Sequence, residues 1–183
     1  EENRTLIRPY DDIDIIAGQG TAGKEIYEQL IQSSIVPDIY LCCCGGGGLI
    51  AGTSTYLNHK FKNIKSFSVE PFGFDDTKKS LNSGKILSNE KGHQSICDAI
   101  ITPQPGNLTF PINLKNLEDG IVVNDDQVKH SIKILAEHLK IIVEPGGAVA
   151  ATAALTEKID LKNKTVVVMI SGGNIDLEMF RSL

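Results

Sequence analysis

The fold is decided by one stretch of sequence, DIYLCCCGGGGLIAGTSTYLNH, which runs from Asp38 to His59. Its first part, from Asp38 to Cys44, shows no clean alternation of polar and apolar residues, which predicts a strand buried on both faces. Its last part, from Leu49 to His59, predicts a helix. A buried strand, a glycine turn and a helix in succession are typical of an α/β sheet.

The glycines from Gly45 to Gly48 carry no side chains, so their backbone N–H groups form an open row at the start of the predicted helix. Such a row binds phosphate, and the positive end of the helix dipole adds to the attraction. No Gly-Lys-Ser or Gly-Lys-Thr follows, which excludes the P-loop of nucleotide-binding proteins. The stretch therefore predicts a site for a phosphate monoester.

The rest of the chain continues the alternation of apolar runs and helical segments, which predicts an open, mostly parallel, twisted sheet with helices on both faces. A chain of 183 residues suffices for one such domain. The segment from Ser83 to Pro111, rich in proline, is expected to be irregular. The other predicted strands are Ile13 to Ala17, Ile64 to Glu70 and Thr165 to Ile170; the other predicted helices are Thr21 to Gln32, one capped by Asn124 or Asp125, and one opened by Glu144-Pro145.

A second glycine motif, GQGTAG from Gly18 to Gly23, matches the spacing of the dinucleotide-binding fingerprint. The acidic residue that should bind the ribose is Asp38, but Asp38 precedes its predicted strand instead of following it. We therefore interpret the motif as a tight turn between a strand and a helix.

Composition excludes several classes of protein. The net charge of -5 gives no basic surface for nucleic acid, and no apolar run is long enough for a membrane span. The N-terminus lacks the pattern of a signal peptide, so a cytoplasmic protein is expected. The spacing of the cysteines suggests neither a disulfide framework nor a zinc site, and buried thiols are expected at Cys42, Cys43, Cys44 and Cys97.

Four motifs follow one another along the chain. They are GGGGLIAG from Gly45 to Gly52, VEP from Val69 to Pro71, VEP from Val143 to Pro145, and SGGNIDL from Ser171 to Leu177. In order and spacing they resemble the serine/threonine dehydratase and serine racemase group of fold-type II pyridoxal-phosphate enzymes. The resemblance implies the large domain of such an enzyme, in incomplete form.

The resemblance also implies a site for pyridoxal 5′-phosphate. The residues that match the group's phosphate-binding motif are Gly45, Gly46, Gly47, Gly48 and Leu49. Ser171 would donate its hydroxyl to the pyridine nitrogen, and Glu144 would lie near the ring.

A divalent cation is implied by the same resemblance. Glu70, the backbone carbonyl of Phe74, and Asp76 match the positions that bind it in this group. All three are hard oxygen ligands, which suit magnesium, calcium or manganese.

The group's Schiff-base lysine lies in a Ser-Phe-Lys-like motif, and no such motif occurs in this sequence. We therefore expect the chain to be the C-terminal portion of the catalytic domain, without the N-terminal part that bears the lysine. No catalytic residue is assigned, and we expect the chain to lack lyase activity on its own.

For the complete enzyme the resemblance implies β-elimination from L-threonine, L-serine or a related 3-hydroxy amino acid, giving a 2-oxo acid and ammonia, and it implies a homodimer. The segment from Thr102 to Pro111 is more similar to bacterial serine/threonine and hydroxyaspartate dehydratases than to serine racemase. Two alternatives stay open. One is a serine racemase, and the other is a non-catalytic remnant or ligand-binding module.

Overall fold

A computed structural model describes residues 6–183 as a parallel sheet with helices packed against it. In chain order the elements are α1 (Ile13–Gln32), β1 (Ile39–Cys43), α2 (Gly48–Lys60), β2 (Lys65–Pro71), α3 (Asp76–Ser83), a 3₁₀ helix (Asp98–Ile100), α4 (Thr109–Asn116), β3 (Leu117–Val123), α5 (Asp125–Leu139), α6 (Pro145–Leu155), β4 (Val166–Val168) and α7 (Leu177–Ser182). The strand order is β3-β2-β1-β4, and every neighbouring pair is parallel. The predicted α/β class is confirmed.

Strand β1 lies in the middle of this arrangement, and all of its residues are buried. Leu41 pairs with Phe67 of β2 and with Val168 of β4. Helix α2 packs on one face, where the Tyr40 hydroxyl donates to Thr53 Oγ1 at 2.9 Å. Helix α6 packs against the same sheet with an almost wholly buried surface. The absence of alternation in the sequence of β1 follows from this burial on both sides.

The prediction of a strand at Ile13 to Ala17, followed by a turn, is wrong. These residues belong to the continuous helix α1, whose start is capped by Asp12: its Oδ1 accepts from the N–H groups of Asp14 and Ile15 at 2.9 and 3.3 Å. The glycines of the second motif lie inside this helix. A Cβ at Gly23 would be only 2.8 Å from the carbonyl oxygen of Thr53, so the glycines allow α1 and α2 to pack closely.

Strand β3 was not foreseen, because its first half carries Glu118, Asp119 and Gly120, which are typical of loops. It pairs with β2 at the edge of the described sheet. Strand β4 is shorter than the predicted Thr165 to Ile170. The segment from Ser83 to Pro111 is largely irregular, as predicted.

The predicted starts of the two later helices are confirmed. Asn124 caps α5 in a capping box with Gln127, and Glu144 is the N-cap of α6 with Pro145 in the first turn. Glu144 is thereby fixed at the edge of the sheet where β1 and β4 end. None of the helices in the described part of the chain has the length and apolar character needed to cross a membrane.

Candidate cofactor site

The glycine loop, which we define as Gly45 to Gly48, joins the end of β1 to the start of α2. Its carbonyl oxygens are held from the side of α4. Thr109 Oγ1 donates to the carbonyl of Gly46 at 2.6 Å, and Asn113 Nδ2 donates to that of Gly47 at 3.3 Å. These two bonds turn the carbonyl ends of the peptide groups toward protein and away from the space in front of the loop.

The N–H groups of the loop, unlike its carbonyl oxygens, have no hydrogen-bond partners among the described residues. Within residues 6–183, no carbonyl or side chain accepts a hydrogen bond from the N–H of Gly45, Gly46 or Gly47. They lie at the N-terminus of α2, where unpaired N–H groups and the helix dipole together favour an anion. The loop thus has the donors of a phosphate site without using any charged side chain.

Two of these glycines exclude a side chain for different reasons. A Cβ at Gly46 would overlap the ring of Tyr10, which packs directly on the loop. Gly47 has a φ of +87°, and a Cβ there would be 2.6 Å from Asn113 Nδ2. No local pattern indicated Tyr10, because it lies far from the loop along the chain.

A cavity of about 310 Å³ opens in front of the glycine loop. This volume is at the lower end of the range for small-molecule sites. No lysine of residues 6–183 lines it. The cavity brings together every residue that was predicted to bind the cofactor: Gly45, Gly46, Gly47, Gly48, Leu49, Glu144 and Ser171.

A larger cavity, of about 720 Å³, lies between α1, α2 and α4. Its walls are mostly apolar, as at Ile13, Ile16 and Pro111, and it includes none of the predicted site residues. Polar side chains such as Lys24, Lys115 and Asn116 also line it, but the N–H donors of the glycine loop and all the predicted cofactor residues lie in the smaller cavity. We therefore assign the candidate site to the smaller cavity.

Ser171 lies beyond the end of β4, on a loop that is held rigidly against α6. The N–H of Asn174 donates to Glu144 Oε2 at 3.0 Å, and the N–H of Glu144 donates to the carbonyl of Gly172 at 3.3 Å. A Cβ at Gly147 would overlap the carbonyl oxygen of Ser171. Glu144 therefore fixes the loop that presents the Ser171 hydroxyl.

The cysteines that precede the glycine loop are buried, as predicted, but they differ in their surroundings. Burial raises the pKa of Cys42 and Cys44. The pKa of Cys43 is lowered, first by the influence of the adjacent Cys42 and also by the Ser171 hydroxyl, whose oxygen lies 3.2 Å from Cys43 Sγ, whereas burial acts in the opposite direction. Cys43 also lines the cavity, whereas its sequence context predicted only a buried thiol.

A second cluster, which we call the acidic pocket, consists of Glu70 and Asp76 beside β2 and α3. Glu70 is fully buried, and its two carboxylate oxygens accept from the N–H groups of Thr77 and Lys78, each at 2.8 Å. Burial raises the pKa of Glu70, and the charge of Asp76 raises it further. Burial also raises the pKa of Asp76 to about 7.

The acidic pocket retains unused acceptor capacity. Asn89 Nδ2 donates to Asp76 Oδ1, whereas Asp76 Oδ2 is buried and has no hydrogen-bond partner among residues 6–183. In the same part of the chain, no group of three or more His, Cys, Asp or Glu side chains is placed to hold a metal ion. Any cation here would depend on two carboxylates and on neutral oxygens, such as the predicted carbonyl of Phe74.

Comparison with known proteins adds three findings. The model of a protein family described as "Pyridoxal-phosphate dependent enzyme" matches residues 1–172. A serine racemase from Dictyostelium discoideum is 41% identical over 175 residues, which are 94% of this chain and 52% of that protein. An L-threo-3-hydroxyaspartate ammonia-lyase from Saccharomyces cerevisiae is 35% identical over 183 residues, which are 100% of this chain and 55% of that protein.

Among solved structures, the processed form of threonine deaminase isoform 2 from Solanum lycopersicum superposes with a TM-score of 0.86 at 31% identity. The match covers 96% of this chain and 50% of that chain. The chain thus spans about half the length of the curated relatives it matches.

Proposed function

This chain belongs to the pyridoxal-phosphate dependent enzyme family, and on that premise we propose that it binds pyridoxal 5′-phosphate in the cavity lined by the glycine loop and Ser171. The family predicted from the sequence motifs is confirmed by the match over residues 1–172. One observation carries the proposal. The carbonyl oxygens of Gly46 and Gly47 are bonded to Thr109 and Asn113, while the N–H groups from Gly45 to Gly47 find no acceptor among residues 6–183 and lie at the start of a helix.

The residues of the cavity take distinct roles in this proposal. The N–H groups of the glycine loop and of Leu49 hold the phosphate. The Ser171 hydroxyl would donate a hydrogen bond to the pyridine nitrogen, and Glu144 would lie beside the ring. When bound, the cofactor supplies an electron-withdrawing ring that favours loss of the Cα proton of an amino acid.

For the complete protein we propose elimination of the β-hydroxyl group from L-threonine, L-serine or a related 3-hydroxy amino acid, giving a 2-oxo acid and ammonia. Two similar proteins support this reaction class by name, one an L-threo-3-hydroxyaspartate ammonia-lyase and the other a threonine deaminase. A neutral hydroxyl such as that of Ser171 leaves the pyridine nitrogen unprotonated, which suits elimination.

The contribution of this chain to that reaction is binding. The cavity contains no lysine from residues 6–183, and the lysine motif of the family does not occur in the sequence. We therefore propose that the chain anchors the cofactor but does not supply the lysine that makes it reactive, and that it has no lyase activity alone.

A second candidate is racemisation, which is favoured by the 41% identity with the serine racemase of Dictyostelium discoideum. Racemisation returns a proton to Cα, whereas elimination releases the hydroxyl group. The products separate the two: D-serine from L-serine indicates a racemase, and a 2-oxo acid with ammonia indicates a lyase. A protein that binds the cofactor and forms neither product, even when it is joined to a part bearing the lysine, is a ligand-binding module.

We propose in addition that Glu70, the carbonyl of Phe74, and Asp76 bind magnesium, calcium or manganese. The unpartnered Asp76 Oδ2 supports this assignment, because a buried carboxylate oxygen without a donor is costly. A bound cation would add to the positive charge of Lys79, which already acts on Asp76 but pairs with Asp75 at 2.8 Å.

The cofactor site can be tested directly by measuring the binding of pyridoxamine 5′-phosphate with isothermal titration calorimetry. This ligand has no aldehyde, so its affinity depends on contacts and not on lysine chemistry. We expect weak binding of one ligand per chain, in competition with inorganic phosphate. Gly46→Ala should weaken it about 10-fold or more, because the new Cβ would displace Tyr10 or the loop.

Gly18→Ala is the matched control, since a Cβ at Gly18 meets nothing within 4 Å and lies in α1 away from the site. Equal affinity of wild type and Gly46→Ala, or no binding by wild type at millimolar ligand, would contradict the proposed site. Production of a 2-oxo acid from L-threonine by this chain with pyridoxal phosphate would contradict the proposal that it lacks the reactive lysine.

A further inference from the structure

Cys43 is the last residue of β1, and it lies at the point where the strand meets the cofactor cavity. Its Sγ is 3.2 Å from Ser171 Oγ, and only 5% of the residue is exposed. The next thiol has a different neighbour: Cys44 Sγ lies 3.3 Å from Thr77 Oγ1 of α3. The contact with Ser171 therefore distinguishes Cys43 from the cysteine beside it.

The direction of this hydrogen bond decides what Ser171 can do. A serine hydroxyl has a single proton, so it can donate one hydrogen bond while accepting others. If Ser171 donated to Cys43 Sγ, no proton would remain for a pyridine nitrogen. Ser171 lowers the pKa of Cys43 by donating to its thiolate, so the two directions of the bond correspond to the two protonation states of Cys43. When the thiol is protonated, the Cys43 S–H can be the donor, and the Ser171 proton is then free.

We propose that Cys43 is a positioning residue, whose S–H donates to Ser171 Oγ and thereby directs the Ser171 proton toward the pyridine nitrogen of the cofactor. This inference rests on the proposed function, because it takes Ser171 as the partner of that nitrogen. It assigns to the strand residue a role that is separate from packing.

The surroundings of Ser171 support such a role. Within residues 6–183, no other side chain or N–H donates to Ser171 Oγ. The backbone of its loop is fixed by Glu144 and by the close approach of Gly147, so the remaining freedom lies in the χ1 and hydroxyl torsions of the Ser171 side chain. A single buried donor at 3.2 Å is enough to bias that rotation.

A pair of ligands can isolate the contact with the ring nitrogen. We would titrate the chain with pyridoxamine 5′-phosphate and with its analogue in which the ring nitrogen is replaced by C–H. Wild type should bind the nitrogen ligand about 3-fold to 10-fold more tightly, the range expected for one net hydrogen bond. Ser171→Ala should abolish this preference, since it removes the donor.

Cys43→Ala and Cys43→Val should bring the ratio of the two affinities closer to one. They should do so by lowering the affinity for pyridoxamine 5′-phosphate alone. Cys43→Val removes the donor but fills the space of the thiol. It can replace Cys43→Ala in this test if the alanine variant does not fold. Cys43→Ser keeps a donor and should retain most of the preference. In a chain that already carries Ser171→Ala, Cys43→Ala should cause no further change in the preference.

Cys44→Ala is the control for loss of a neighbouring thiol, and it should keep the wild-type preference. If Cys43→Ala weakened the binding of both ligands equally, Cys43 would have only a packing role and the inference would be overturned. The inference would also be overturned if Cys43→Ala bound both ligands as wild type does. Wild type that binds both ligands equally would overturn the inference but leave the phosphate site standing. Wild type that binds neither ligand would overturn the proposed function together with the inference.

Discussion

The glycine loop after β1 and the acidic pocket beside β2 lie next to neighbouring parallel strands, yet they are built in opposite ways. The loop offers neutral main-chain N–H groups, and its carbonyl oxygens are already satisfied. The pocket offers two buried carboxylates, one of which has an oxygen without a partner among residues 6–183. The loop therefore leaves only neutral donors without partners, whereas the pocket is under electrostatic stress until a proton or a cation relieves it.

This contrast predicts that the stability of the loop is most sensitive to substitutions that add a side chain. Gly47→Ala should lower the free energy of unfolding by about 3 kcal/mol, from backbone strain at positive φ and from overpacking. The cause is visible in the φ of +87° and in the 2.6 Å approach to Asn113 Nδ2. Urea unfolding measures the loss, and Asn113→Ala should cost less stability in the Gly47→Ala chain than in wild type, because only there does it also remove the clash. A loss below about 0.5 kcal/mol would mean that the loop adapts and is not rigid.

The acidic pocket should respond to ions. Magnesium, calcium or manganese at about 100 times its Kd should raise the free energy of unfolding by about 2.7 kcal/mol. Thermal unfolding with and without a chelator measures this effect. Asp76→Asn should remove most of it, because the amide lacks the charge that holds the cation. An equal response of wild type and Asp76→Asn would show that the cation binds elsewhere.

The same contrast explains what the sequence could predict. A run of glycines between a buried strand and a helix has few physical explanations, so the loop was identified together with its ligand class. Glu70 and Asp76 were found only through the resemblance to a family, because acidic residues in a loop are usually solvated. Their burial and their raised pKa values depend on the packing of α3 against β2.

Other features required contacts that no local pattern encodes. Cys43 and Ser171 touch across a separation of 128 residues. The apolar run from Ile13 to Ala17 suits a strand or a helix equally well, and the Asp12 cap and the packing of α1 on α2 decide for the helix. Strand β3 is hidden by its acidic first half and is stabilised by pairing with β2.

Protonation should partly replace the cation in the acidic pocket. The pKa of Asp76 rises from 3.8 to about 7 on folding, so the folded chain binds a proton that the unfolded chain releases between these values. The free energy of unfolding should therefore increase by about 2 kcal/mol as the pH falls from 8 to 5 in the presence of a chelator. Urea unfolding across this range measures it. Asp76→Asn should flatten the dependence, leaving the contribution of Glu70, and a wild-type stability that falls toward pH 5 would contradict the burial of these acids.

The smallest expected effect concerns the support behind the glycine loop. Thr109→Val keeps the shape of the side chain but removes the hydroxyl that donates to the carbonyl of Gly46 at 2.6 Å. A longer bond of 3.3 Å from the N–H of Gly106 to the same oxygen remains, so the loss of stability should be only about 1 kcal/mol. Affinity for pyridoxamine 5′-phosphate should fall about 2-fold to 5-fold, because the peptide group can then rotate and its neighbours no longer aim their N–H groups as well.

Thr21→Val is the matched control for that substitution, since its hydroxyl donates to the carbonyl of Gly18 at 2.7 Å on the exposed side of α1. It should change neither affinity nor stability by a measurable amount. If both variants left ligand affinity unchanged, the orientation of the loop would be set by its backbone alone. If Thr109→Val abolished binding while the chain stayed folded, a single side chain would control the phosphate site, and the loop would depend on side chains as strongly as the acidic pocket does.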